Sequence, residues 1–435
     1  LFGAAMIIGR GVALAPMSKG KKPMFPEHGM IWKDLERELW AARLEDVPWQ
    51  RGWDYMYWPE TEGNLGLVAK AAADQIDNQR ILGRKGNPSA LKVEGEVQAM
   101  VKQILGAPDG AATTLTAGGT ESNYHAVKVA RERARAERPD LESPEIVVPY
   151  TAHPSFDKAG QILGMRVVRV PAGTDFRADV AAMGAAITDN TVMIVGSAPN
   201  FPHGVVDPIG ELGALAQSRG IRCHVDACVG GFLIPFLRDI GQNVGAFDFS
   251  VAGVGSISAD LHKFGYTPTG ISTFTLRDEA DLVHQRFAFG DWPYGHYQTD
   301  TFAGSRNAGA VAAAWAVLKH LGAEGYREKA EQIVAVSAAL QTGIEAIGGL
   351  TVIAPPEAGI LVYSSDEFDI VAVADGLAER GFPSRWAKAP PAIHLLLSPL
   401  AIDPIYTDYL AALGEVVSGV KAGTIKRVSA EAVYS

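Results

Sequence analysis

The stretch SADLHKFGYTPTG (258–270) closes an apolar run with one lysine, Lys263, hemmed in by His262 and Phe264. A partly buried lysine loses proton affinity and becomes a nucleophile able to form Schiff bases. A lysine that merely snorkels to solvent is the plain alternative. In TAGGTESN (116–123) the glycines let a ligand approach the backbone, and Thr120 adds a hydroxyl. A helix beginning near Glu121 would aim free N–H groups and its positive dipole end at the same spot, which suits a single phosphate. The loop is neither G-x-G-x-x-G nor a Walker loop, and a bare glycine turn explains it equally. Asp226 in CHVDACVGGF (223–232) ends an apolar strand, where it either caps a turn or holds a proton on a heterocyclic nitrogen. A zinc reading of Cys223, His224, Asp226 and Cys228 is disfavoured because strand alternation spreads these side chains over both faces. His153 in TAHPSF and Asn200 in SAPNFPHG follow two further strands. A capping or core histidine and a turn asparagine are their ordinary readings.

The set is more specific than its members. A phosphate cradle, a histidine, an asparagine, an aspartate and a lysine end successive strands of one sheet, and ligands bind at the carboxyl ends of strands in open α/β sheets. Pyridoxal 5′-phosphate needs this combination: a cradle for its phosphate, a carboxylate for its ring nitrogen and a lysine for its aldehyde.

Strands alternating with helices over about residues 85–280 must position these groups. ATTLTAGGT, EIVVPYTAH, RVVRVP, TVMIVGSAP, IRCHVDA, FSVAGVGSISAD and ISTFTLRD read as strands, most with a helix between them. This predicts a mostly parallel, seven-stranded sheet in an α/β domain. Helices are expected over Trp32–Trp49, Ser89–Leu105 and Asn307–Gly322. From about 325 onward the pattern is helix, strand, strand, helix, strand, helix, a smaller α+β domain. The expected divisions are an N-terminal arm with helices (1–84), a large cofactor-binding domain (85–324) and a small C-terminal domain (325–435).

Composition narrows the function class. The 435 residues carry 47% hydrophobic and 20% charged side chains, ordinary for a globular protein. A net charge of −10 argues against nucleic acid as the main partner. Two cysteines, Cys223 and Cys228, are too few for a disulfide framework, and a reducing cytoplasm is expected. LFGAAMIIGRGVALAP (1–16) is apolar but interrupted by Arg10, short of a bilayer span and without the basic start of a signal peptide. It is expected to be an upstream extension or a loosely packed arm.

TAGGTESN, TAHPSFDKA, APNFPHGVVDPIGELGALA, HVDACVGGF, SADLHKFGYTPTG and TFAGSRNAG, in order from about 85 to 325, resemble the sphingosine-1-phosphate lyase branch of the group II pyridoxal-phosphate decarboxylases. The resemblance implies the aspartate aminotransferase type of fold (fold type I) and a homodimer with active sites between subunits. It implies Lys263 as the Schiff-base lysine, Asp226 as partner of the pyridine nitrogen and His153 stacked on the ring. Gly119, Thr120 and His262 would hold the phosphate, with Cys228 under the ring and Asn200 near its 3′-oxygen. Ser305 would reach in from the neighbouring subunit. Tyr57 in WDYMYWP, rather than Tyr55, would line the substrate mouth and take part in catalysis.

One departure bears on substrate. The resembled lyases carry a second lysine six residues after the first, and here Thr269 stands there. A family histidine also lacks a counterpart near Asn78, with Arg80 and Arg84 as candidate substitutes. Two activities are therefore expected to compete. One is a lyase cleaving the Cα–Cβ bond of a β-hydroxy amine, either a phosphorylated sphingoid base or a smaller unphosphorylated analogue. The alternative is an amino-acid decarboxylase. A non-catalytic cofactor-binding protein is disfavoured by the complete set of lysine, aspartate and histidine.

Overall fold

The computed structural model describes residues 28–43, 64–76, 88–399 and 405–429. Two compact units divide the chain, Leu1–Pro48 and Trp49–Ser435. The first contributes helix α1 (Trp32–Ala42), shorter than the expected span, with an Asp34–Arg37 ion pair one turn apart.

The second unit opens with α2 (Asn64–Ile76) and α3 (Pro88–Ile104). The expected alternation follows: β1 (Ala112–Thr116), α4 (Gly119–Glu137), β2 (Glu145–Pro149), α5 (Ser155–Leu163), β3 (Arg166–Val170) and α6 (Val180–Ala186). Then come β4 (Thr191–Ser197), α7 (Ile209–Arg219), β5 (Arg222–Asp226), α8 (Ile234–Asp239), β6 (Val254–Ala259) and β7 (Ser272–Leu276). These seven strands form one sheet in the order β1-β7-β6-β5-β4-β2-β3. Only β7 runs against the rest, pairing antiparallel with both β1 and β6.

The strand sequences explain the placement. A parallel sheet covered by helices on both faces selects continuous apolar runs rather than alternation. β2 and β4 are buried along their whole length, whereas edge strand β3 is mostly only partly covered. Each buried Val or Ile of β4 stabilises the sheet by about 1.5–3 kcal/mol. Register aligns the strand ends: Ser197 pairs with Asp226, and Asp226 with Ser258. The carboxyl ends of β4, β5 and β6 therefore finish level. Helices α5 and α7 end on Gly164 and Gly220 in the left-handed conformation, which returns the chain sharply to β3 and β5.

Beyond the sheet lie α9 (Leu282–Gln285) and a hairpin of β8 (Phe287–Phe289) and β9 (Tyr297–Thr299). The helix expected over 307–322 starts at Ala308, leaves helical geometry at Gly322 and resumes to Glu345 as α10. The C-terminal part holds β10 (Thr351–Val352), β11 (Ile360–Ser364), α11 (Ile370–Glu379), β12 (Arg385–Lys388), β13 (Pro391–Leu396) and α12 (Ile405–Lys421). Its strands form an antiparallel sheet in the order β10-β11-β13-β12. Strand β12 was not among the expected strands. Its four residues, RWAK, are only partly covered and carry no apolar run. Among the described residues no helix is long and apolar enough to cross a membrane.

Candidate active site

The carboxyl ends of β1, β2, β4, β5 and β6 enclose a cavity of about 240 Å³. The cradle residues Gly119 and Thr120, His153, Asp226, Cys228, His262 and Lys263 all line it. The sheet order accounts for this gathering. β4, β5 and β6 are adjacent, and α4 begins at Gly119 directly after β1, with its first-turn N–H groups lacking intrahelical acceptors. Gly119 admits no side chain: a Cβ there would lie 2.6 Å from Cys228 Sγ and 2.9 Å from Asp260 Oδ2.

Asp226 is held by a buried network absent from the sequence reading. Asn123 Nδ2 donates to its Oδ2 at 3.0 Å, and Cys228 N to its Oδ1 at 3.1 Å. Ser258 Oγ donates to Asn123 Oδ1 at 2.8 Å, and His224 Nε2 lies 3.3 Å from the same oxygen. The other nitrogen of His224 is 2.9 Å from Ser256 Oγ. Burial drives the Asp226 carboxyl upward, but neighbouring His153 and Lys263 and the bonds from Cys228 outweigh it, leaving it below its ordinary value. An anionic carboxylate deep in a cavity can hold a proton on a ring nitrogen.

His153 is pushed the other way. Burial lowers its proton affinity, and its Nδ1 accepts from Ser155 N at 3.2 Å. It is a neutral, oriented ring suited to stacking. Burial likewise depresses His262, whose Nδ1 is a buried nitrogen with no hydrogen-bond partner. The Cys228 thiol is driven well above its ordinary value, by burial first and then by the carboxylates of Asp226 and Asp260, and stays protonated. Lys263 Nζ is 2.9 Å from Asp260 Oδ2.

One expected residue faces elsewhere. Asn200 is fully buried with its side chain turned into its own loop, donating to Phe176 O at 3.1 Å and accepting from His203 N at 3.1 Å. Pro199 and Phe201 line the cavity in its place. Ser305, expected to serve the site of a neighbouring subunit, is exposed on the loop before α10. Tyr55, Tyr57, Asn78, Arg80 and Arg84 fall outside the described residues. Thr269 is exposed.

A second chamber of about 510 Å³ shares His153 and Phe201 with the first. Its walls include Pro202, Trp386 and Ala387, and it also carries the cations Arg385 and Lys388 of β12. His394 of β13 fixes the partition between the two spaces by donating from Nε2 to Phe201 O at 2.8 Å.

A glycine-walled cradle at a helix start, an unpartnered histidine nitrogen, an anionic carboxylate and a lysine fit a phosphorylated pyridine aldehyde. The family profile of the pyridoxal-dependent decarboxylase conserved domain matches residues 26–365. The chain belongs to this family. As a pyridoxal-dependent decarboxylase family member it is a pyridoxal-phosphate-dependent lyase of fold type I. It is similar to the sphingosine-1-phosphate lyase of Arabidopsis thaliana, 39% identical over 93% of this chain and 75% of the relative. The solved sphingosine-1-phosphate lyase of Burkholderia pseudomallei is 35% identical with a TM-score of 0.88, covering 93% of this chain and 95% of that one. A probable L-tyrosine/L-aspartate decarboxylase of Methanothermobacter thermautotrophicus is 37% identical over 71% of this chain and 82% of the relative. The relatives thus include both sphingosine-1-phosphate lyases and a probable amino-acid decarboxylase.

Proposed function

We propose that this chain cleaves the Cα–Cβ bond of a phosphorylated sphingoid base or a related β-hydroxy amine, releasing an aldehyde. The observation that carries the reading is the near full-length likeness to the Burkholderia pseudomallei lyase. Pyridoxal phosphate, when bound, supplies an electron sink for the bond at the amine carbon held perpendicular to its ring. The chain's residues do the rest. Gly119, Thr120 and His262 hold the phosphate, Lys263 anchors the aldehyde carbon and Asp226 keeps a proton on the ring nitrogen. Neutral His153 packs on the ring face, with Cys228 beneath it. Asn200 remains in the set through the loop it shapes. Tyr57 is assigned to the substrate mouth on the resemblance alone.

The larger chamber supports an amphiphilic substrate. Its walls include Phe201, Pro202 and Trp386, and Arg385 and Lys388 supply positive charge that Thr269 does not. We further propose a homodimer in the cytoplasm, in which the partner covers the aromatic face of the β8–β9 hairpin. Tyr294 in the hairpin turn is 89% exposed, and Phe302, three residues before Ser305 on the loop after β9, is 69% exposed. Both cysteines are free thiols, as a reducing compartment requires.

The likeness to the Methanothermobacter thermautotrophicus protein carries the second reading, decarboxylation of an amino acid. Product analysis separates the two. Purified protein given a phosphorylated sphingoid base, an unphosphorylated β-hydroxy amine, tyrosine and aspartate is expected to release aldehyde from one of the first two. Carbon dioxide from an amino acid, with no aldehyde, would overturn the proposal.

A further inference from the structure

Asp260 lies three residues before Lys263 and has no part in the roles assigned above. It is 1% exposed. A carboxylate that deep needs a cation and hydrogen-bond donors. Lys263 Nζ lies 2.9 Å from Oδ2, and Ser272 Oγ donates to Oδ1. Ser272 Oγ is 2.9 Å from Ser122 Oγ, itself 2.7 Å from Thr116 Oγ1. Hydroxyls from β1, α4 and β7 thus fix one oxygen of the carboxylate while the other faces the lysine. His262 Nε2 is 3.6 Å from Oδ2, and His153, Asp226 and Cys228 are the remaining titratable groups facing the pair. Asp226 is committed elsewhere, with one oxygen accepting from Asn123 Nδ2 and the other from Cys228 N.

We propose that Asp260 is the positioning residue for Lys263. The proposal rests on the reading of Lys263 as the cofactor anchor. Asp260 holds Nζ inside the cavity and carries its positive charge once a substrate amine has displaced it. The exchange balances. The bond from the cofactor carbon to Nζ breaks, and one from that carbon to the substrate nitrogen forms. The substrate enters as an ammonium with three protons and passes two to Nζ, which leaves as an ammonium. A carboxylate 2.9 Å away favours the positive forms of the lysine nitrogen. A mere tie between β6 and β7 would not move that proton affinity.

The test is a pH titration of the visible absorbance of the cofactor joined to Lys263, in wild type and in Asp260→Asn, Asp260→Ser and Asp260→Glu. Folding and bound cofactor are checked by circular dichroism and stoichiometry. The two uncharged variants are expected to lower the midpoint by about one unit, a tenfold loss of proton affinity, and Glu to keep most of the wild-type value. An uncharged variant whose midpoint stays within about 0.3 unit of wild type would overturn the proposal. So would uncharged variants that fold but bind no cofactor, because holding Nζ is distinct from holding the phosphate. Either result leaves the role of Lys263 standing. That role fails only if Lys263→Ala keeps the absorbance.

Discussion

Lys263 and Asp226 line one cavity, yet their partners set them to different tasks. Asp226 has every oxygen engaged by fixed donors, so it presents a charge without moving. Lys263 ends in an ammonium 2.9 Å from Asp260 Oδ2, with 19% of its side chain exposed toward the cavity where a ligand would meet it. Lys263→Ala is therefore expected to abolish the visible absorbance of bound cofactor and to cut turnover at least about 10³-fold. Both readouts come from one purified preparation, and retained absorbance would reject the assignment. The charged residues that end strands could be read from the sequence because their position alone brings them to the cavity. Asp260, Asn123 and Ser258 could not. Each looks like an ordinary turn, helix or strand residue until the register sets Asp226 beside Ser258 and the start of α4 brings Asn123 against both.

At the scale of elements, the start of α4 is where sheet and cradle meet. The helix presents N–H groups only if Gly119 lies against Cys228 and Asp260, both buried. Neither neighbour is the far end of a flexible chain, so Gly119→Ala must displace the helix start or the β5 and β6 loops. The expected cost is about 1–3 kcal/mol of stability, as for overpacking elsewhere, together with weaker cofactor binding. Thermal unfolding with and without added cofactor separates the two, and the variant should lose more of the cofactor-induced rise in Tm than of the basal Tm. Strand and helix order in the large sheet was legible because buried parallel strands are continuous apolar runs with helices between them. Strand β12 was not, although it contributes Trp386 and Arg385 to the larger chamber. Asn200 shows the converse. Its position after β4 was read correctly, but a side chain that folds its own loop faces away from the cavity.

For the whole molecule, burial of titratable groups sets how the fold responds to acid. His203, His224 and His394 are each held near about 4 by burial, against an ordinary 6.5. Asp207 is pushed up from 3.8 to about 7, again by burial, despite donors at Ala178 and Ser197. Between about pH 4 and 6.5 the unfolded chain binds three histidine protons that the folded chain refuses. The folded chain keeps one proton, on Asp207, that the unfolded chain releases. From these four groups the unfolded state holds a net excess of two protons, which raises stability with pH across this window by about 3 kcal/mol per unit. His153 and His262, also depressed, add in the same direction. Asp226, held below its ordinary value, contributes stability that is lost only as pH falls below about 4. Denaturant unfolding at pH 5, 6 and 7 should therefore show a midpoint that falls steadily on acidification. A profile that is flat, or that rises toward pH 5, would mean that these histidines are charged inside the fold, and with them the neutral partition that His394 forms between the two chambers.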